Sequence, residues 1–170
     1  MLNLILFRHG KSDWDAPFAN DHERPLSSRG KDAARLMGRM LSRTQQVPDL
    51  AVSSSALRAR DTLHHAARAG HWKTPMRIDS ALYESSAGDV LNWMRSINES
   101  PERLLLTGHE PTWSDLAGRL VGGKSLLRVP TGAMLRIDFD ADAWSEVEFA
   151  SGELRWLLPP RMVGRLCGGK

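Results

Sequence analysis

The chain has 170 residues, of which 41% are apolar, and both values are typical of one globular domain with a single core. Its net charge is only +3, and no block of five like charges or alternation of basic and aromatic residues indicates a nucleic-acid-binding surface. A single cysteine, Cys167, excludes a disulfide within the chain and a cysteine-based zinc site, and no apolar run is long enough to cross a bilayer, so we expect a soluble, cytoplasmic protein without membrane contact.

The first half of the chain alternates predicted strands and helices. A nearly continuous apolar run from Leu2 to Phe7 predicts a strand that is buried on both faces, as in a parallel sheet. Ser27 or Ser28 can cap the helix that follows, and Gly70 can end the next one. After the first strand we predict, in order, a helix to about residue 43, a strand at 49–53, a helix at 56–69 and a marginal extended segment at 76–79.

The second half continues this alternation and then changes period. We predict a helix that begins at Gly88 or Asp89 and runs to residue 97, a strand at 104–106 and a helix that Thr112 caps and that ends near residue 121. Two-residue alternation at 134–139, 147–149 and 154–156 predicts antiparallel strands, with a hairpin turn at Ser151 and Gly152.

These elements predict an α/β fold, a three-layer α/β/α sandwich whose mostly parallel central sheet has an antiparallel edge. We expect residues 1–160 to form a single domain and residues 161–170 to form a loose C-terminal tail.

Charged and imidazole side chains follow three of the predicted strands. Arg8 and His9 end the first strand, Arg58 follows the second, and His109 comes directly after the strand at 104–106. Ligands bind beyond the carboxyl ends of the strands in open parallel sheets, so we expect these groups to meet at one edge. Of the 23 basic residues 18 are arginine, the side chain best suited to planar anions, although most such residues in any protein only solvate its surface.

These residue types suit phosphoryl transfer. A neutral imidazole is a competent nucleophile toward phosphorus, and a phosphohistidine intermediate divides one difficult displacement into two easier ones. Arginines and a second histidine can neutralise the phosphoryl oxygens as charge spreads over them, which is the part that a metal plays in other sites. The sequence therefore predicts a phosphate site that needs no metal and no cofactor.

Three separated segments also resemble a known family. LFRHGKSDWD, SSSALRARDT and LLLTGHEPT resemble, in this order, the Arg-His-Gly segment, the second arginine segment and the second histidine segment of the histidine phosphatase superfamily. The small size of the chain and the segment DHERPLSSRG are most similar to the SixA-type phosphohistidine phosphatases. The resemblance implies a phosphoglycerate mutase-like fold, and only some thirty residues separate Arg58 from the helix near Gly88, which leaves little chain for a lid.

The resemblance also implies roles for individual residues. His9 would be the nucleophile, Arg8 and Arg58 would bind phosphate, and His109 would share the phosphoryl oxygens. Arg24 matches an additional arginine of the small members, although an ordinary loop arginine before a proline is about as well supported. Glu84 stands where the family keeps its general acid, a role that needs a carboxyl group kept protonated near the anion, whereas a solvated or helix-capping glutamate is the alternative.

Residues near the Arg-His-Gly segment complete the predicted site. Lys11 and Ser12 can contact the substrate, and Trp14 can either pack locally or line the pocket. Asp15 departs from the asparagine that is usual in mutase-like relatives, so a ligand role for it is in doubt, which argues mildly against a mutase. We expect Arg60 and Asp61 to cap the helix after Arg58 or to lie on its surface. No role is assigned to the histidines away from the strand ends, which are His22, His64, His65 and His71.

The sequence thus predicts a metal-independent phosphatase with a phosphohistidine intermediate on His9. A phosphohistidine on another protein is the preferred substrate, because an open site suits a phosphate that a partner presents. Two alternatives remain at this stage: a phosphatase for small molecules such as a sugar phosphate or nucleotide, and a non-catalytic module that binds phosphorylated partners. Intact His9 and His109 argue against the second, since arginines alone would serve for binding.

Overall fold

A central sheet of six strands forms the middle layer of the protein. The computed structural model describes residues 1–122 and 126–168. The strands are, in chain order, β1 (Leu2–Arg8), β2 (Leu50–Ser54), β3 (Met76–Asp79), β4 (Arg103–Gly108), β5 (Met134–Phe139) and β6 (Gly152–Leu158). They lie side by side in the order β3-β2-β4-β1-β5-β6.

The pairing of these strands agrees with the predicted mostly parallel sheet and its antiparallel edge. β1, β2, β3 and β4 are parallel, whereas β5 pairs antiparallel with both β1 and β6. β1 and β4 occupy the centre, and their residues Leu4 to Phe7 and Leu104 to Leu106 have no exposed surface. Burial on both faces explains why the two strands appear in the sequence as unbroken apolar runs.

Five helices in the described part of the chain form the outer layers. On one face α1 (Ser28–Arg43), α2 (Leu57–Ala69) and α5 (Pro160–Gly168) pack through residues such as Met37, Leu63 and Val163 onto the side of the sheet that carries Ile5 and Phe7. On the other face α3 (Ala87–Arg95) and α4 (Thr112–Val121) cover the opposite side. The prediction of an α/β sandwich is therefore confirmed.

The helix caps explain where two helices begin. Ser27 caps α1, because its side chain accepts a hydrogen bond from the Gly30 backbone N–H. Ser86 begins α3 in a reciprocal capping box with Asp89, so this helix starts before the predicted Gly88. The prediction of Thr112 as a cap is wrong: Thr112 is already the first residue of α4, and its hydroxyl donates to the Ser85 carbonyl instead.

The segment before β6 does not form the predicted strand and hairpin. Residues Trp144–Glu146 form a short 3-10 helix, Val147 ends it, and β6 begins at Gly152, so the predicted turn at Ser151 and Gly152 is also wrong. Trp144 is buried and its indole N–H donates to the Pro101 carbonyl at 2.8 Å. This anchor holds the segment against the core as a turn, in which Val147 is buried without pairing to a strand.

The C-terminal residues are also more ordered than predicted. Residues 160–168 form α5, although we expected a loose tail from residue 161. Pro160 suits the first helical position, where a backbone N–H has no helical partner, and Val163 is buried beneath the helix. Residues 169 and 170 lie outside the described part of the chain. Across the described residues, no helix has the length and apolar character needed to span a membrane.

Candidate active site

The ends of β1 and β4 bring two histidines together. These neighbouring parallel strands pair in register, with Arg8 opposite Gly108, so the residues that follow them emerge side by side. The His9 backbone N–H donates to the Gly108 carbonyl at 3.0 Å, and the ring centres of His9 and His109 are 5.3 Å apart. The predicted meeting of the two histidines at the carboxyl edge of the sheet is what the structure shows.

A close approach of two glycines fixes the loop that carries His9. A Cβ atom on Gly10 would lie 2.7 Å from the Gly30 carbonyl oxygen, and one on Gly30 would lie 2.3 Å from the Lys11 carbonyl oxygen. Any larger residue at either position would therefore push the loop away from the start of α1. The Gly10 N–H also donates to the Thr62 hydroxyl of α2 at 2.9 Å, so α1 and α2 together hold the loop in place.

One ring nitrogen of His9 is occupied and the other is free for chemistry. Nδ1 donates to the Gly10 carbonyl at 2.7 Å, which places the lone pair of the neutral ring on Nε2. Burial lowers the pKa of His9 from its usual 6.5 to about 4, and although the hydrogen bond to Gly10 opposes this change, the positive charge of Arg58 adds to it. His9 is therefore a neutral imidazole at physiological pH.

His109 is held neutral in a similar way. Burial, followed by the nearby charges of His9 and Arg58, lowers the pKa of His109 to about 3. Its Nε2 is hydrogen-bonded to the Ser54 hydroxyl at 2.7 Å, at the end of β2. Its buried Nδ1 has no hydrogen-bond partner among the described residues.

Arg58 and Arg24 are both bound by the carboxylate of Asp21. Arg58 lies in the first turn of α2, is buried, and donates to the Asp21 backbone carbonyl at 2.7 Å and to Asp21 Oδ2 at 3.0 Å. Arg24 donates to Asp21 Oδ1 at 3.0 Å, and Trp14 lies over its guanidinium group at 3.8 Å. Desolvation acts to raise the pKa of Asp21, but the two arginines outweigh it and hold this pKa below its usual value.

Arg8 approaches the site from β1. Its NH1 donates to the Val129 carbonyl at 2.9 Å. Burial lowers the pKa of Arg8 below its usual value, and the negative charge of Glu110 opposes this change. Arg8 and Arg58 share one further feature: the Nε atom of each is buried and has no hydrogen-bond partner among the described residues.

The remaining predicted site residues lie at different depths. Glu84 lines a cleft of about 700 Å³ together with Arg58 and His109, but its side chain is exposed. Lys11 is exposed, whereas Ser12 is buried with its hydroxyl unpartnered in the described structure. Asp15 is exposed, and its backbone N–H donates to the Asp13 side chain.

Several residues that the sequence did not single out take part in the site. Asp21, Ser54 and Thr62 make the contacts described above. Tyr83 lies 5.6 Å from His109, ring centre to ring centre, and its hydroxyl donates to Asp21. His22, to which we assigned no role, packs edge-on against Tyr83 and is hydrogen-bonded to Ser55. His22 lies in the segment DHERPLSSRG, two residues before Arg24, and the resemblance of this segment to the SixA-type phosphatases is the sequence signal that could have indicated its place.

The donor set of this edge suits an anion. Arginine and imidazole N–H groups predominate, and within the two described ranges no three His, Cys, Asp or Glu side chains are arranged to hold a metal ion. A tetrahedral oxyanion can accept hydrogen bonds from arginine and histidine at the same time.

Comparisons with known proteins agree with this geometry. Residues 4–129 match the model of the histidine phosphatase superfamily (branch 1). An uncharacterised protein of Mycobacterium tuberculosis (strain H37Rv) is 34% identical over 165 residues, which cover 91% of this chain and 99% of that protein. Phosphohistidine phosphatase SixA of Escherichia coli (strain K12) is 25% identical over 161 residues, or 94% of each chain.

A solved structure shows the same fold. The protein histidine phosphatase SixA complexed with tungstate superposes with a TM-score of 0.80 at 24% identity, and the match covers 94% of this chain and 98% of that one. Sequence and fold together show that the chain belongs to the histidine phosphatase superfamily (branch 1) and has a fold like that of SixA, and this membership indicates phosphatase activity.

Proposed function

We propose that the protein is a metal-independent phosphatase that works through a phosphohistidine on His9, with a phosphohistidine of another protein as its substrate. The observation that carries the proposal is the set of buried, unpartnered nitrogen atoms near His9: Arg8 Nε, Arg58 Nε and His109 Nδ1. Buried polar atoms are nearly always hydrogen-bonded. Arg58 and His109 line the cleft, and Arg8 directly precedes His9, so their unpartnered nitrogens support a ligand bound there. The Nε atoms of Arg60, Arg77 and Arg103 are also unpartnered, but these residues neither line the cleft nor act on the pKa of His9. The ligand that three such nitrogens suit is a phosphoryl group.

The first step transfers the phosphoryl group to His9. The Nε2 lone pair attacks phosphorus, an Nε2–P bond forms, and the bond from phosphorus to the leaving nitrogen or oxygen breaks. Arg8, Arg58 and His109 bind the equatorial oxygens, whose negative charge grows as the leaving group departs. The leaving atom takes a proton from Glu84 or from solvent, and a phosphoramidate needs this proton less because its P–N bond is labile.

The second step regenerates the enzyme. A water molecule attacks the phosphorus of the phosphohistidine, the Nε2–P bond breaks, and inorganic phosphate is released with the lone pair back on Nε2. The hydrogen bond from Nδ1 to the Gly10 carbonyl persists through both steps and keeps the ring in one tautomer. Glu84 lines the cleft, and where it has given its proton to the leaving atom it can take up the proton that water loses. Where the leaving group needed no acid, this proton passes to the phosphate or to solvent.

The shape of the cleft supports a protein substrate. Glu84 and Tyr83 stand at its rim with exposed or half-exposed side chains, and only short segments connect β3 to α3. A histidine on a folded partner can therefore reach His9 without an opening motion. Arg24 and Lys11, at the other side of the loop, would add positive charge around the incoming phosphoryl group.

Activity assays with two substrates test this proposal. We would compare a phosphohistidine-bearing phosphotransfer domain with p-nitrophenyl phosphate, with and without EDTA, for the wild type, His9→Ala and the matched control His64→Ala, which changes an exposed histidine of α2. We expect EDTA-resistant activity that prefers the protein substrate, that His9→Ala abolishes and that His64→Ala retains. Activity that survives in His9→Ala would refute the mechanism. A preference for sugar phosphates or nucleotides would overturn the substrate, and phosphate binding without turnover would favour a binding module.

A further inference from the structure

The positive charge of the protein is concentrated on one face. The helices α1, α2 and α5, which cover one side of the sheet, contain ten of the 23 lysines and arginines but only two of the 20 acidic residues. The opposite layer, α3 and α4, contains two of each. Of the ten cations only Arg58 belongs to the site described above. The other nine form a surface for which the phosphatase chemistry gives no reason.

A cleft between α1 and α2 gathers part of this charge. It has a volume of about 560 Å³ and is lined by Arg35, His65, Arg68, Ala69 and His71. Acidic residues of the chain neutralise few of the cations on α1 and α2. Apart from the Asp21–Arg58 pair of the site, the described residues of α1 and α2 form one ion pair, Arg35 with Asp32 at 2.8 Å. Both of these side chains are well exposed, so solvent screens the pair.

The titration of His65 supports a positive potential in this cleft. Burial lowers the pKa of His65 below its usual value, and the charge of Arg35 is the next cause. Lys31 and His64 lower it further, whereas Asp61 opposes them. The cations therefore lie close enough to act on one another, and an acidic partner would relieve their mutual repulsion.

The cleft lies within reach of a protein whose phosphoryl group is at His9. Arg68 stands ten residues after Arg58 on α2, which is roughly 15 Å along the helix axis. α1 also begins beside the site, where the Ser27 hydroxyl donates to the Lys11 carbonyl. A globular domain of about 100 residues has a radius of gyration of about 13 Å, so it can cover both places at once.

We propose that the cleft between α1 and α2 is a docking surface for an acidic face of the protein that carries the phosphoryl group. This inference rests on the proposed function and names where its substrate binds outside the site. A nucleic acid fits less well because no phenylalanine, tyrosine or tryptophan lines the cleft for bases to stack on. A membrane fits less well because the exposed large apolar side chains that the structure describes on this face, Met162 and Leu166, lie on α5 and do not line the cleft.

Charge reversal tests the docking surface. Arg35→Glu with Arg68→Glu changes two cleft residues that the proposed chemistry does not use. Arg119→Glu with Arg155→Glu makes the same change in net charge on α4 and β6. Thermal unfolding checks that each variant folds. We expect the cleft variant to keep the kcat/KM of p-nitrophenyl phosphate within about twofold, and to lose about tenfold in kcat/KM, mainly through KM, with the phosphotransfer domain. The control variant should match the wild type with both substrates.

A binding assay separates this inference from the proposed function. A fluorescent dodecaglutamate peptide should bind the wild type and the control variant, and binding to the cleft variant should be about tenfold weaker, whether or not the protein is a phosphatase. Equal peptide binding by the cleft and control variants, or equal activity of both with the phosphotransfer domain, would overturn the docking surface. Tighter binding of an oligonucleotide of equal charge, or of vesicles rich in anionic lipid, would overturn the choice of a protein partner. If the wild type had no phosphatase activity but bound the peptide more tightly than the cleft variant did, the docking surface would be supported and the proposed function refuted.

Discussion

Acid should destabilise this protein through His9, and His9→Gln should remove much of that sensitivity. The folded state holds the pKa of His9 at about 4, whereas an unfolded chain restores the usual 6.5. Between these two values the unfolded state binds the proton that the folded state rejects. The free energy of unfolding therefore falls as pH decreases through this window, and the full stability is present above about pH 6.5.

The size of the effect follows from the shift. Each pKa unit corresponds to about 1.4 kcal/mol, so the decrease from 6.5 to about 4 is worth about 3 kcal/mol, most of which is already lost at about pH 4.5. His109 acts in the same direction, because its pKa is lowered to about 3. The charge of His9 is itself one cause of that shift, so the two losses are not additive. The prediction below therefore concerns the difference in stability that His9 alone makes.

Urea unfolding, followed by tryptophan fluorescence at about pH 7.5 and about pH 4.5, measures this loss. We expect the wild type to lose about 2 to 3 kcal/mol more than His9→Gln between the two pH values. The control His71→Gln replaces an exposed histidine and should behave as the wild type does. If the wild type and His9→Gln lost the same free energy, His9 would not be a neutral, buried imidazole, and the description of the nucleophile would be refuted.

Three further predictions concern Glu84, the Asp21 carboxylate that binds Arg58, and Gly30. Glu84→Gln should reduce kcat about tenfold with an alkyl phosphate but less than about twofold with a phosphohistidine domain, because cleavage of the P–N bond needs less help from an acid. Equal losses of kcat with both substrates in steady-state assays would contradict the role of Glu84 as general acid. Asp21→Asn removes a negative charge that competes with phosphate for Arg58. Product-inhibition assays should therefore give a Ki for inorganic phosphate that is about fivefold lower than that of the wild type. An unchanged or higher Ki would show that the Asp21 carboxylate mainly positions Arg58. Gly30→Ala would place a Cβ atom 2.3 Å from the Lys11 carbonyl oxygen, and we expect urea unfolding to show a loss of about 2 kcal/mol together with reduced kcat/KM, a result that a wild-type-like variant would exclude.

The central strands and the helices of the first half were predictable because local pattern and tertiary structure agree there. β1 and β4 are covered on both faces, and this burial leaves an unbroken apolar run in the sequence. α2 shows the same agreement, since Ala59 and Leu63 are four residues apart in the sequence, as on one face of a helix, and both are buried. The sheet edge that collects the strand ends then follows from topology alone.

The errors lie where a distant contact decides a short segment. Val147 and Phe149 alternate as a strand would, but the hydrogen bond of Trp144 to Pro101 fixes the segment as a turn. The tail was expected to be loose because it is rich in glycine and basic residues, yet burial of Val163 beside α1 is enough to hold a short helix. Neither contact leaves a signal in the local sequence.

The site also contains residues that the sequence could predict and residues that it could not. His9, Arg58 and His109 were predictable because each follows a strand end, and topology alone brings such positions together. Asp21 and Tyr83 come from connecting segments, and the hydrogen bond between them joins residues 62 positions apart in the chain. Loop residues of this kind carry no periodic pattern, so sequence reasoning had no means of placing them at the site.

A rapid-quench trap of the phosphorylated enzyme tests the central claim most directly. The protein is mixed with a phosphohistidine-bearing domain in the presence of EDTA, quenched in alkali within the first turnover, and digested for mass spectrometry. The proposal predicts an acid-labile phosphoryl group on His9 that forms and decays at least as fast as turnover and is absent from His9→Ala. A phosphoryl group on any other residue, or turnover without a phosphorylated His9, would contradict it.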